Sequence, residues 1–197
     1  MKKFELTTNT KMHLGKKLFQ IKALISFGDV EAGELGGYIE KEENLDQSGN
    51  AWVYGDAWVS GNAWVYGDAR VSGNAWVYGD ARVSGNAWVT GNAWVADNAR
   101  VADNARVTDN AWVTGDARVT GDASYTTIKG FGREYRTTTF FRCKDGKVRV
   151  QCGCFYGDLK EFRAIVKETH GESKKAKEYL MIADLMELHF EENENDK

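Results

Sequence analysis

The chain has 197 residues, 42% of them hydrophobic and 28% charged, with a net charge of −3 at pH 7. That length holds a repetitive body plus one small additional domain, and the near-neutral balance excludes a bulk-charge argument for nucleic acid. There is no long apolar run, and the Met1-Lys2-Lys3 start lacks the apolar stretch of a signal peptide, so a cytoplasmic protein with no membrane contact is expected.

In chain order, residues 1–45 are expected to cap the first coil of a repeat. Lys2 to Thr7 and Leu18 to Ile25 have strand composition and predict a hairpin, with Phe19, Ile21, Ala23 and Ile25 on one face and Gly15 in the connection. The segment Phe27-Gly28-Asp29-Val30 through Gly36-Gly37-Tyr38-Ile39-Glu40 then leads in. Ile39 and Leu45 fall at the spacing of the small inward residues downstream, so coiling is expected to begin before Ala51.

From Gly49 to Ala123 a unit of six residues repeats without insertion, beginning Gly49-Asn50-Ala51-Trp52-Val53-Tyr54. Ala and Val flank one long residue in each unit, so a short strand points Ala and Val one way and Trp or Arg the other. The Gly-Asn or Gly-Asp pair is corner material, because both residue types tolerate positive φ. One such strand cannot bury its own apolar side, so coils must stack around a thin Val and Ala interior, giving a solenoid over residues 46–124. Residues 51–123 contain no Lys and no Glu, whereas both flanks are rich in them, and those shifts mark the boundaries. The units resemble the hexapeptide repeat of left-handed parallel β-helices, with Val53 through Val119 at the aliphatic position and Ala51 through Ala123 at the small one. That resemblance implies three units per triangular coil and neighbours 18 residues apart in sequence. The handedness rests on the resemblance alone, since it runs against the usual crossover rule.

The 18-residue step sorts the outward residues into three columns. One is Trp58, Trp76, Trp94 and Trp112; a second alternates Trp52, Arg70, Trp88 and Arg106, which suits guanidinium stacking on indole; the third is Trp64, Arg82, Arg100 and Arg118, a basic edge. Rung-to-rung stacking alone accounts for such ladders, at about 0.2–1 kcal/mol per pair. A four-tryptophan wall is also a large apolar patch for a solvated monomer, and a neighbouring subunit or a terminal segment of the same chain would cover it.

Residues 125–197 form the third unit. Gly132 to Lys144 and Lys147 to Tyr156 bracket Asp145-Gly146, a two-residue hairpin signal that places Phe141, Cys143, Val148, Val150, Cys152 and Cys154 on one face. Leu159 to His170 has helical spacing and ends at Gly171; Ser173 then opens a second helix with Ala176, Leu180 and Ala183, and Ile182 or Met186, as its apolar stripe. The acidic tail from Glu191 is expected to be disordered. The fold class is therefore mainly β: a left-handed parallel β-helix with an N-terminal β-hairpin cap and a C-terminal ββαα module. The lead-in motif with its Ala-Trp-Val units resembles proteins common in bacteriophages and bacterial mobile elements, as does the string Cys152-Gly153-Cys154-Phe155 with Phe162, His170-Gly171 and Glu178-Tyr179. The resemblance implies a setting and a fold, and no activity.

Hexapeptide acyltransferases and related carbonic anhydrases place histidines on or beside the coils, but His13, His170 and His189 all lie outside the repeats. An enzyme is therefore not expected, and no catalytic residue and no cofactor is assigned. Cys143, Cys152, Cys154 and His170 are a legitimate zinc set, yet the same alternation places the thiols in an apolar core, where free cysteine is common. Three cysteines, an odd count, fit reduced thiols better than a disulfide framework. Asp97, Asp103 and Asp109 replace Gly at successive corners, and they read as corner residues rather than a calcium repeat. The stretch Lys129 to Arg149 carries a local basic patch; Arg133, Arg136, Arg142 and Lys147 are its candidate partner-binding residues. The expected function is a non-enzymatic scaffold, a homo-oligomer of two or three copies that presents the C-terminal module to a host or phage protein. A virion or polymer-forming protein, and a nucleic-acid binder using the basic patch with Arg82, Arg100 and Arg118, are the alternatives.

Overall fold

The computed structural model describes residues 2–121, 124–131 and 136–191. Ala123, Arg133 and the acidic tail beyond Glu191 lie outside the described residues.

The repeat folds as a parallel β-solenoid of two-residue rungs on three faces. The tryptophan face stacks β5 (Trp58–Val59), β8 (Trp76–Val77), β11 (Trp94–Val95) and β14 (Trp112–Val113). The mixed face stacks β4 (Trp52–Val53), β7 (Arg70–Val71), β10 (Trp88–Val89) and β13 (Arg106–Val107). The basic face stacks β6 (Trp64–Val65), β9 (Arg82–Val83), β12 (Arg100–Val101) and β15 (Arg118–Val119). Trp pairs with Trp, and Val with Val, 18 residues on, so all three columns form as the spacing requires. The inward valines from Val53 to Val119 and alanines from Ala51 to Ala117 are 0–1% exposed.

Corners explain which residues the repeat keeps. Corner glycines from Gly49 to Gly115 have φ of 58 to 73°, and a Cβ on Gly79 would sit 2.8 Å from the Asp97 nitrogen of the next coil. Glycine is therefore favoured at the corners by conformation, and at Gly79 by close approach as well. Asp97, Asp103 and Asp109 take the same conformation at φ of 56 to 59°. The Asp97 carboxylate offsets that strain by accepting from the Gly115 N–H at 3.2 Å and from the Thr114 hydroxyl. Beside the corners, side-chain amides run along the columns, as from Asn50 to Asp68 at 2.7 Å and from Asn74 to Asn92 at 3.2 Å.

The ladder is that of a parallel sheet, in which the outward residue of each rung donates its N–H to an alanine carbonyl of the following coil, as from Trp58 to Ala75 and from Trp76 to Ala93, both at 2.9 Å. Alanine carbonyls at the start of the stack and outward N–H groups at its end therefore lack a coil to pair with, and such groups, when buried, require other partners. At the first coil the Lys3 ammonium donates to the carbonyls of Ser48, Gly49 and Ala51 at 3.2, 3.4 and 3.0 Å. The buried Asn44 amide donates to those of Gly61 and Ala63 at 3.1 and 2.8 Å. At the last coil the acceptors are hydroxyls: Thr139 for the Trp112 N–H at 3.0 Å, and Tyr125 and Ser124 for those of Thr108 and Thr120 at 3.3 Å each.

Residues before the repeat form β1 (Phe4–His13), β2 (Lys16–Ala23) and β3 (Leu35–Ile39). β1 and β2 are antiparallel, joined at Leu14-Gly15, where φ is 46 and 77°. Their sheet order β1-β2-β3-β5 makes the hairpin a continuation of the tryptophan face. A register shift between Gln20 and Lys22 buries Leu18 together with Ile21 and leaves Phe19 half-buried, which departs from the expected alternation. Ile39 and Leu45 pair with Val59 and Val65, twenty residues on. They occupy the valine positions and not the expected alanine positions, because the corner before Ala51 carries extra residues. One of these, Gln47, accepts from the Lys3 N–H at 2.8 Å. β3 passes this coil closely, for a Cβ on Gly37 would lie 2.6 Å from the Ala57 carbonyl.

The C-terminal module is a four-stranded antiparallel sheet in the order β16 (Tyr125–Ile128), β17 (Thr138–Arg142), β18 (Val148–Cys152) and β19 (Phe155–Asp158), with α1 (Leu159–His170) and α2 (Lys174–His189) after it. Two strands more than expected are present. The β17–β18 turn is also longer: Cys143 donates to Lys147 and pairs across it, so three residues close the loop and Phe141 faces Arg149. One residue of register flips every side chain. Phe141 and Cys143 therefore enter the solenoid core, while Phe140 and Val150 pack under the helices with Phe162 and Val166. Asp158 and Glu161 form a reciprocal cap on α1 at 2.8 Å each, Gly171 ends it at φ 55°, and Ser173 caps α2. The inner stripe of α2 is Ala176, Tyr179, Ile182, Ala183 and Met186, with Leu180 only half-buried. No helix among the described residues is long and apolar enough to cross a membrane.

Candidate binding surfaces

On the tryptophan face, Trp58, Trp76 and Trp94 stack nearly parallel, with ring centres 5.0 and 4.6 Å apart and planes 12 and 9° apart. Trp112 turns edge-on to Trp94, at 84°. All four are half-buried. The cover at one end comes from this chain: the His13 ring at the end of β1 lies 3.8 Å from Trp58 and 4.1 Å from Trp76, and desolvation holds its pKa below the usual imidazole value. Ion pairs from Lys11 to Asp56 at 2.5 Å and from Lys16 to Glu40 at 2.8 Å tether the hairpin across the first rungs. A cavity of about 300 Å³ remains beneath it, lined by His13, Leu14, Lys16, Leu18, Trp58 and Trp76.

On the mixed face, Trp52 is wholly buried under Phe4 and Phe27, at 6.2 and 5.3 Å. Arg70 and Arg106 lie over Trp88 from the two neighbouring rungs, at 5.5 and 5.2 Å, and Arg70 also pairs with Asp29 at 2.7 Å. On the basic face Arg82, Arg100 and Arg118 are in register, the first two exposed. Trp64 stands at its head, stacked on Tyr66 at 4.2 Å.

The expected basic patch on the C-terminal module is not uniform. Arg136 and Lys147 are exposed, whereas Arg142 donates to the carbonyls of Phe190 at 2.7 Å and Gly146 at 3.4 Å and so ties the end of α2 to the sheet. Arg149 is held by Asp145 at 2.7 Å. The zinc set does not assemble. Cys143 faces the solenoid, with its thiol pushed up by burial, whereas Cys152 lies in the helix-side cluster and accepts from the Thr138 hydroxyl at 3.1 Å. The register flip at the turn is the reason. Cys152, Cys154 and His170 line one cavity of about 320 Å³ with Phe162 and Tyr179, and His170 stacks on Tyr179 at 5.9 Å. Among the described residues no group of three His, Cys, Asp or Glu side chains is placed to hold a metal ion.

One surface is not foreseen by the sequence pattern: Met181, Leu185 and Leu188 form an outward stripe on α2, 70, 54 and 66% exposed. Their spacing carries the signal, but α2 is apolar on both sides, and the stripe facing the sheet accounts for the pattern by itself.

A family model described as the YdcK beta solenoid repeat matches residues 63–79 and 81–97, within the coils just described. No curated protein matches the chain.

Proposed function

We propose that this chain is a non-enzymatic binding or scaffold protein of the cytoplasm, in which a rigid solenoid sets the position of a C-terminal recognition module. The observation that carries the reading is the seating of the module. Phe141 and Cys143 lie in the solenoid core, Thr139 accepts from the Trp112 N–H, and Lys144 donates its N–H to Asp116, so the module is seated directly on the last coil. The rod itself offers repeated surfaces, and the varied side chains that specific recognition needs are concentrated in the module. In the phage or mobile-element setting that the sequence resembles, the fitting partner is a host protein or defence component. We further propose that the coil winds left-handed, in keeping with three short rungs per 18-residue step.

The test is capture from a host lysate by the full chain and by a variant with Arg136→Glu, Lys144→Glu and Lys147→Glu, leaving Arg142 in place. Loss of capture at an unchanged melting temperature is expected, because exposed charges contribute little to stability. Capture that survives these reversals but is lost with Arg82→Glu and Arg100→Glu would move recognition to the basic face. That outcome would favour the second reading, binding of a polyanion such as single-stranded nucleic acid along the in-register arginines.

A further inference from the structure

We propose that the outer face of α2 is a self-association surface on which a second copy of this chain packs with its own α2 antiparallel. α2 has already met its structural obligation: Ala176, Tyr179, Ile182, Ala183 and Met186 bury its inner side against α1 and the sheet. Met181, Leu185 and Leu188 recur at helical spacing on the opposite side and remain 70, 54 and 66% exposed. Three large apolar side chains in one stripe differ from the scattered surface leucine of an ordinary soluble protein.

Charge selects the occupant. Lys174, Lys175 and Lys177 stand at the start of the helix, and Asp184, Glu187 and Glu191 at its end. Two such helices laid parallel would set lysine against lysine and carboxylate against carboxylate. Laid antiparallel about a two-fold axis between Met181 and Leu185, the basic start of each meets the acidic end of the other, and the stripe meets itself. A surface complementary to its own copy under a two-fold rotation is what an isologous dimer requires. Within the chain Arg163 of α1 already holds the Asp184 and Glu187 carboxylates at 2.9 and 2.5 Å, and Lys174 lies 3.6 Å from Glu178, so Lys175, Lys177 and Glu191 carry most of the complementarity between copies. The other faces suit a second copy less well. The tryptophan ladder lies partly under the hairpin, and the basic column would oppose like charges.

A single helix face is smaller than the roughly 800 Å² per partner of a standard interface, so the pairing is concentration-dependent. It does not rest on the recognition role proposed above. The experiment is sedimentation velocity of the full chain across a wide concentration range. The mass is expected to rise from 22.1 kDa toward twice that value. Leu185→Glu with Leu188→Glu should hold it at the monomer mass with unchanged circular dichroism, because both positions are exposed. Lys174→Glu with Lys177→Glu should weaken self-association at least tenfold. Glu191→Lys should also weaken it, and mixing the two charge variants should restore a heterodimer. A parent that stays monomeric throughout, a dimer indifferent to the leucine changes, or a dimer abolished by Trp94→Glu instead would each overturn the proposal. Partner capture is read separately, so a monomer that still captures its partner refutes the pairing and leaves the recognition role standing.

Discussion

Thr139→Val tests the account of how the last coil ends. The side chain is wholly buried, valine has nearly its shape, and the change removes one atom with a defined task, the Oγ1 that accepts from the Trp112 N–H at 3.0 Å. Trp112 has no following rung to bond, so its N–H would be left buried without a partner, at a cost of about 1–3 kcal/mol. For a chain of this size each kcal/mol moves the melting temperature by about 2–4 °C, which gives an expected drop of roughly 2–12 °C. Solenoids fray from their ends, so amide hydrogen exchange is the sharper assay: the Trp112 amide should lose protection while the Trp76 amide keeps it. Thr127→Val, at the position paired with Thr139 on β16, is the control and should be close to neutral. A Thr139→Val chain that melts with the parent and keeps the Trp112 amide protected would refute the claim that side-chain acceptors terminate the ladder.

Val77→Asp should be severely destabilising, by more than about 4 kcal/mol, because a carboxylate would enter a dry interior where no cation is available; a melt within a few degrees of the parent would count against that interior. Gly79→Ala should lower the melting temperature through its left-handed φ of 73° and the 2.8 Å approach to Asp97, and a neutral result would show that the corners yield. Lys3 is pushed down to about 8, chiefly by burial, with Asp46 pulling the other way. Between that value and about 10.4 for the unfolded chain, the unfolded state binds more protons, so stability contributed at Lys3 rises with pH by at most about 1.4 kcal/mol per unit. Urea denaturation of the parent minus that of Lys3→Met isolates this slope from tyrosines titrating nearby, and identical pH profiles would refute it.

The solenoid was legible in the sequence because one short period fixes three things at once: Val53 and Ala51 inward, Trp52 outward, and Trp58 beneath Trp76. The C-terminal register was not. Asp145-Gly146 is a strong two-residue turn signal, but a three-residue loop with Gly146 at φ 76° is equally served by the same residues. That single added residue decides whether Cys143 sits beside Val150 or on the other side of the sheet. The same ambiguity undoes the zinc set, whose members are grouped by alternation alone. Ends were illegible for another reason. Lys3 reaching the Ser48, Gly49 and Ala51 carbonyls, and Thr139 meeting Trp112, are contacts across long sequence separations that leave no periodic trace. On α2, Met181 and Leu185 were visible as apolar residues, but nothing local told the inner stripe from the outer one.

The way the stack ends also bears on how copies of this chain could assemble. An open solenoid end is a row of unpaired strand edges, and the direct route to a fibre is to pair the last coil of one rod with the first coil of the next. A parallel ladder crosses each seam in both directions, so the two ends would suit head-to-tail stacking if left bare. Neither is bare. Lys3 and Asn44 bring donors to carbonyls at the start of the stack, while Thr139, Tyr125 and Ser124 bring acceptors to N–H groups at its end. Each is held by structure outside the repeat. Rod-to-rod stacking would have to displace a buried ammonium at one end and a packed β-sheet at the other, both costly. That weighs against a polymer built through the coil ends and leaves the sides of the molecule for association, where the outer stripe of α2 offers three large apolar side chains in one row.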